Sequence, residues 1–180
     1  AGFAPGETVT AMDLLYGVML PSGADSCIAL ADKISGSEEA FVELMNQKAQ
    51  ELGMKGTHFT NSSGLHDENH YTTVHDLGIL LMEALKNDTF RQIFTARTYT
   101  TTPTQVNPSG ITFEASVFKN MNTDQSARAT GVIQGGKTGY TQEAGLCLAS
   151  MGTVGGEEFL VITTGAQGSH ETVQFNIEHA

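Results

Sequence analysis

Three strand-like runs near the C-terminus constrain the fold most. Gly131-Val132-Ile133-Gln134-Gly135-Gly136-Lys137-Thr138-Gly139-Tyr140-Thr141 reads as the first, because β-branched Val132 and Ile133 suit a pleated surface. Ala144 to Met151 reads as a second strand, Gly152 to Gly156 as a turn, and Phe159 to Gly165 as a third. Connections this short imply an antiparallel meander. The first strand also carries chemistry. Gly135 and Gly136 have no side chains, so something can lie close against their backbone. Lys137 and Thr138 set a cation beside a hydroxyl, and Gly139 leaves the neighbouring backbone uncovered. Such an edge pairs with an extended peptide through main-chain hydrogen bonds. The Lys and Thr then hold a carboxylate at the peptide's end. Read alone, the same letters also suit a glycine-rich turn with an ordinary surface lysine, and motifs this short often match by chance.

The chain before these strands is mostly helical in pattern. Thr10 and Asp13 form a capping-box pair ahead of a helix from Ala11 to about Leu20, with Met12, Leu15 and Met19 on one face; Pro21 ends it. Ser22-Gly23-Ala24 leads into a second helix, about Asp25 to Ile34, and on spacing alone Ser22 reads as its N-cap. Ser37 caps a third helix that runs to about Leu52, where Phe41, Leu44, Met45, Lys48 and Leu52 form a stripe read as core. Thr73 starts a helix running to Asn87, and a shorter one runs from Asp88 to about Thr95. Tyr99 to Thr104 reads as a strand, which Pro103 makes an edge or an end. Val106 to Ile111 is a turn, and Glu171 to Ala180 starts a helix. The expectation is an α+β fold in one domain: a helical cluster (about residues 10–96) beside an antiparallel sheet after residue 98, with the terminal helix on the sheet.

A chain of 180 residues, 39% of them hydrophobic, suffices for one domain with a core, and no apolar run is long enough to span a membrane. No signal peptide is recognisable. The formal net charge of −11 argues against nucleic acid and against docking on anionic lipid. One local cation can still hold a carboxylate in an acidic protein. Cys27 and Cys147 form no metal-like cluster; they are read as two buried thiols, with a disulfide the alternative in an exported protein. His58, His66, His70 and Asp67 sit in an irregular stretch that supplies no helical frame for a zinc site. Asn61, His66, Asp67 and His70 are expected to satisfy one another and the backbone. Neither metal nor organic cofactor is expected. Ser116-Val117-Phe118-Lys119 fits the letters of a Ser-x-x-Lys nucleophile, where one helical turn sets the amine beside the hydroxyl. The segment has no strong helical signal and is read as a coincidence.

Pro5-Gly6-Glu7-Thr8-Val9-Thr10, Asp13-Leu14-Leu15-Tyr16-Gly17, Leu20-Pro21-Ser22-Gly23, Asn61-Ser62-Ser63-Gly64-Leu65-His66-Asp67, His70-Tyr71-Thr72-Thr73 and Gly136-Lys137-Thr138-Gly139-Tyr140-Thr141 occur in that order. In these segments the chain resembles the D-alanyl-D-alanine carboxypeptidases, low-molecular-mass penicillin-binding serine peptidases that trim peptidoglycan. The resemblance covers nearly the whole chain. It implies a partial β-lactamase/penicillin-binding transpeptidase-like fold. It also implies an extracytoplasmic cell-envelope location, secreted or at the outer face of the cytoplasmic membrane. Peptidoglycan peptides ending in D-Ala-D-Ala and β-lactam antibiotics would be its partners. In the mechanism so implied, Ser22 relays a proton and Lys137 supplies positive potential and supports Ser22. Thr138 binds the terminal carboxylate. Gly139 and Tyr140 line the substrate, and the Tyr140 backbone N–H forms half of an oxyanion hole.

The chain departs from the family pattern in three places. Ala24 stands where the Ser-x-Asn element has its Asn. No arginine follows Arg128, and Thr172 lies near the position where the family has one after the third strand. The family's Ser-x-x-Lys precedes Ser22, and none does here; Ser116 lies after it. The chain is therefore expected to be an incomplete catalytic domain, inactive alone, with a sheet edge that promotes self-association. A class A β-lactamase needs a deacylating Glu whose signature is not seen. A transpeptidase differs only in its acceptor. A non-catalytic peptidoglycan-binding relative is the alternative of another class.

Overall fold

The computed structural model describes residues 1–119, 121, 131–169, 172, 174 and 177. Two compact units emerge, Ala1–Tyr71 with Ala96–Ala115 and Thr72–Thr95 with Ser116–Ala180.

In the first unit, α1 (Ala11–Met19) opens with the expected capping box: Thr10 accepts from the Asp13 amide, and the Asp13 carboxylate accepts from the Thr10 amide. The buried face of α1 is Asp13, Tyr16 and Gly17, continued by Leu20, while Met12 and Leu15 are exposed. Two residues of the predicted stripe thus face solvent and the third, Met19, is half-buried, because the helix is rotated to bury a carboxylate. Asp13 is fully buried and accepts from the Tyr99 hydroxyl at 2.9 Å and the Thr102 amide at 3.0 Å. Tyr16 and Tyr99 stack with ring centroids 3.7 Å apart. Burial pushes the Asp13 carboxyl up, but the bonds from Thr10, Thr102 and Tyr99 outweigh it and hold the group below its ordinary value. Burial and the Asp13 contact together push Tyr99 up to about 12.

Helix α2 (Ala24–Ser35) packs on α1 and on α3 (Glu38–Glu51), which Ser37 caps through the Ala40 amide. The stripe read as core on α3 is corrected: Leu44 and Lys48 are exposed, and Ala49 is the buried residue. Phe41, Val42, Met45, Asn46, Ala49 and Leu52 form the covered side, turned away from Leu44 because Asn46 exchanges two hydrogen bonds of 2.8 Å with the backbone of Phe59. In the loop that follows, Asn61, Asp67 and His70 bond to backbone as expected, and Glu38 of α3 accepts from the Ser62 amide and hydroxyl. Asn61 accepts from Gly64 and donates to the Leu65 carbonyl, Asp67 accepts from the Asn69 amide, and His70 Nδ1 accepts from the Thr60 amide at 3.1 Å. Strand β1 is Thr98–Thr100, shorter than predicted, so Pro103 lies beyond it; its partner β2 (Thr112–Glu114) was not anticipated. Both are antiparallel, closed by a turn in which Glu7 accepts from Asn107 Nδ2 at 2.9 Å and from the Thr104 hydroxyl.

In the second unit, Thr73 caps α4 (Val74–Ala84) as predicted, but α4 stops short of the predicted end at Asn87, which instead caps α5 (Asp88–Phe94) through the Phe90 amide. The meander is observed as β3 (Gly131–Thr141), β4 (Gly145–Val154) and β5 (Glu157–Ala166), in that order and antiparallel throughout. Helix α4 packs on β5 and buries Leu81 and Leu85, each worth about 2 kcal/mol of transfer free energy. Arg91 reaches both carboxylate oxygens of Glu158, at 2.7 and 3.2 Å, and so ties α5 to the start of β5. Ser116–Lys119 is a helical turn, α6, in a segment whose sequence carries no strong helical signal. It forms because Val117 is wholly buried against the sheet, a tertiary gain that local propensity does not register. The predicted terminal helix over residues 171–180 lies outside the described residues apart from Thr172, Gln174 and Ile177.

Candidate active site

Ser22 sits between two helices that leave it little freedom. Leu20 ends α1, and the Gly23 amide donates to the Gly17 carbonyl at 2.9 Å, folding the chain back within three residues. The backbone of Ser22 is forced to φ +58°, the one non-glycine residue with positive φ among those described. That conformation costs an L-residue about 1–2 kcal/mol, and its side chain is exposed. Ser22 is not the helix cap suggested by spacing: the N-cap of α2 is Gly23, with no side-chain cap bond. Ala24 is the first residue of α2, half-buried, and offers only a methyl group where an amide would donate and accept.

Lys137, Thr138, Gly139 and Tyr140 are consecutive on β3. Strand β3 is an edge of its sheet among the described residues, with β4 on one side only. Lys137 and Gly139 pair with Ala149 and Cys147, whereas Thr138 and Tyr140 pair with buried Leu148 and Leu146. Alternation puts the lysine and the threonine on opposite faces of the strand. Lys137 is half-buried, and its ammonium donates to the Thr138 carbonyl at 2.5 Å. This curls the cation back along the strand margin. The Thr138 hydroxyl, also half-buried, lies 2.5 Å from that of Ser116.

The glycines of β3 divide into two kinds. A Cβ at Gly135 would sit 2.5 Å from the carbonyl oxygen of Phe94, and one at Gly136 would sit 3.3 Å from Val117 Cγ2. The close approach predicted there is made by the protein itself, α5 on one face and α6 on the other. At Gly139 an added Cβ would meet only Cys147 Cβ, at 3.9 Å, and the residue is exposed. Internal packing does not demand glycine at 139, which leaves that stretch of backbone open to an incoming chain.

Cys27 and Cys147 are half-buried rather than buried and form no disulfide. Among the described residues no group of three or more His, Cys, Asp or Glu side chains is arranged to hold a metal. Thr172 is engaged locally, accepting from the Ser169 amide at 2.8 Å. Ser116 is the contact that sequence reasoning set aside. Its letters were visible, but the partner they serve lies 22 residues away.

A family model described as D-alanyl-D-alanine carboxypeptidase matches residues 2–168. The D-alanyl-D-alanine carboxypeptidase DacF of Bacillus subtilis (strain 168) is 36% identical over 174 residues, covering 93% of this chain and 41% of that protein. The D-alanyl-D-alanine carboxypeptidase of Streptomyces sp. (strain K15) is 38% identical over 158 residues, covering 84% and 53% respectively. The chain thus spans about half the length, or less, of these relatives. Among solved structures, the Streptomyces K15 DD-transpeptidase superposes with a TM-score of 0.78 at 31% identity, over 97% of this chain and 65% of that one. The D-alanyl-D-alanine carboxypeptidase from Mycobacterium tuberculosis H37Rv gives 0.81 at 28% identity, over 99% and 64%.

Proposed function

The chain belongs to the D-alanyl-D-alanine carboxypeptidase family, and on that premise we propose that its parent protein is a serine-type carboxypeptidase acting on peptidoglycan peptides that end in D-Ala-D-Ala, outside the cytoplasm. The observation that carries this reading is β3: an edge strand presenting a cation, a hydroxyl and an unencumbered glycine in succession. An extended peptide adds to such an edge by main-chain hydrogen bonds. The Thr138 hydroxyl donates to the terminal carboxylate, Lys137 supplies the positive potential, and Gly139 admits the peptide backbone. The Tyr140 N–H is aimed at charge developing on the scissile carbonyl. Ser22, strained and exposed, relays the proton. The acyl-accepting serine is not assigned within these 180 residues, and Ser116 is not that group. It lies after Ser22, whereas the resemblance places the nucleophile before it, and its hydroxyl meets that of Thr138. β-Lactams acylate the same nucleophile in this scheme, and the open edge of β3 supports self-association as well.

The similar K15 structure is that of a DD-transpeptidase, and acceptor choice (water or an amine) is the one step that separates the two activities. Intact mass after incubation with a penicillin tests the proposal, on the 180-residue chain and on the full-length product of its gene. One adduct on the full-length protein alone is the expected result. An adduct on the short chain would make Ser116 or another serine here the nucleophile. No adduct on either would favour a non-catalytic peptidoglycan-binding relative, for which Ala24 already argues.

A further inference from the structure

We propose that Ser116 is a positioning residue that sets the direction of the Thr138 hydroxyl, and through it the preference for a free terminal carboxylate over an uncharged end. This rests on the assignment of Thr138 to the substrate carboxylate. Helix α6 is fixed on the Thr138 face of β3, because Val117 is wholly buried and its Cγ2 lies 3.3 Å from where a Cβ of Gly136 would sit. Ser116, one residue earlier, meets Thr138 with the two oxygens 2.5 Å apart.

Each hydroxyl has one proton and two lone pairs. In a pair of hydroxyls only one donates to the other. When Thr138 donates to Ser116, its proton is committed and it can only accept from a ligand. When Ser116 donates to Thr138, the Thr138 proton is free for a ligand. A carboxylate only accepts, so it selects the second arrangement and completes a chain running Ser116 to Thr138 to carboxylate. Donation into Thr138 also polarises its own O–H and strengthens the outer bond. A terminal amide both donates and accepts, binds either arrangement, and gains nothing from the ordering. The side chain of Ser116 therefore contributes to selectivity rather than to the chemical step. Its Ser-x-x-Lys context is incidental to this role.

The test uses the full-length protein and a pair of stem peptides, one ending in D-Ala-D-Ala and the other in its C-terminal amide. KM and kcat for release of the last residue are measured for wild type, Ser116→Ala, Ser116→Thr, Thr138→Val and the Ser116→Ala/Thr138→Val double variant. Ser116→Ala should raise KM for the acid about threefold to tenfold, the scale of one hydrogen bond, with kcat and the amide little changed. Ser116→Thr should restore the acid preference, and Ser116→Ala should add nothing in the Thr138→Val background. Equal acid-over-amide preference in wild type and Ser116→Ala would overturn the proposal while leaving the carboxypeptidase reading standing. Loss of both substrates alike in Ser116→Ala, unrescued by Thr, would show a structural role and overturn it too. A wild type that releases neither residue would overturn the functional reading and the role of Ser116 with it.

Discussion

In the proposed role of proton relay, Ser22 sets stability against use. Its φ of +58° is comfortable only for glycine, so Ser22→Gly should stabilise the fold by about 1 kcal/mol and raise the melting temperature. The same variant, like Ser22→Ala, should lower D-Ala release by the full-length protein, since both remove the hydroxyl; Ser22→Ala keeps the strain and should not stabilise. Loss of stability in Ser22→Gly would show that the side chain holds the turn together. The sequence announced Ser22 only through its neighbours, because the letter alone suits a helix cap. Its backbone angle comes from the Gly23–Gly17 hydrogen bond, a contact between helices. Asp13 was legible as half of a capping box with Thr10. Its second role, joining α1 to Tyr99 and Thr102, depends on residues more than 80 positions away and leaves no local trace.

At the level of elements, caps and turns were readable and packing partners were not. Thr10, Ser37 and Thr73 announce helix starts because capping is decided within four residues; Asn87 was read as the end of one helix and is the cap of the next. α6 escaped notice because a single turn of helix has no stability of its own and exists through Val117. Gly135 and Gly136 looked like room for a ligand, when α5 closes on the first and α6 on the second; Gly139, further along β3, is the open position. A substitution pair separates these. Gly135→Ala drives a Cβ into the Phe94 carbonyl, a backbone atom that cannot rotate away, and should cost about 1–3 kcal/mol in urea unfolding. Gly139→Ala should leave stability within about 0.5 kcal/mol and weaken peptide binding instead. Equal destabilisation by both would remove the distinction.

For the molecule as a whole, acid should act in two stages. Burial, opposed by Asp67, holds His70 below its ordinary value of 6.5, and its neutral Nδ1 accepts from Thr60. A depressed histidine contributes stability that is complete above pH 6.5 and declines as pH falls through the folded value. Glu7 and Asp13 are held below their ordinary 4.5 and 3.8, so their contribution is complete above those values and is lost only as pH falls further. Unfolding measured from pH 7 to pH 2 should therefore show an upper and a lower decline. His70→Gln should remove the upper one and Asp13→Asn should shallow the lower. The bulge in β3 acts on a different property of the chain, its parity. Gly131 to Ile133 pair with Val154 to Gly152, and Gly135 resumes opposite Met151, so Gln134 is one residue too many for its partner. Even-numbered Val132 shares the face of odd-numbered Lys137, and Ile133 shares that of Thr138. Counting alternate letters straight through the strand assigns every side chain before Gln134 to the wrong face. The surplus residue lets the segment ahead of it slip by one step while the lysine and the threonine keep their sides.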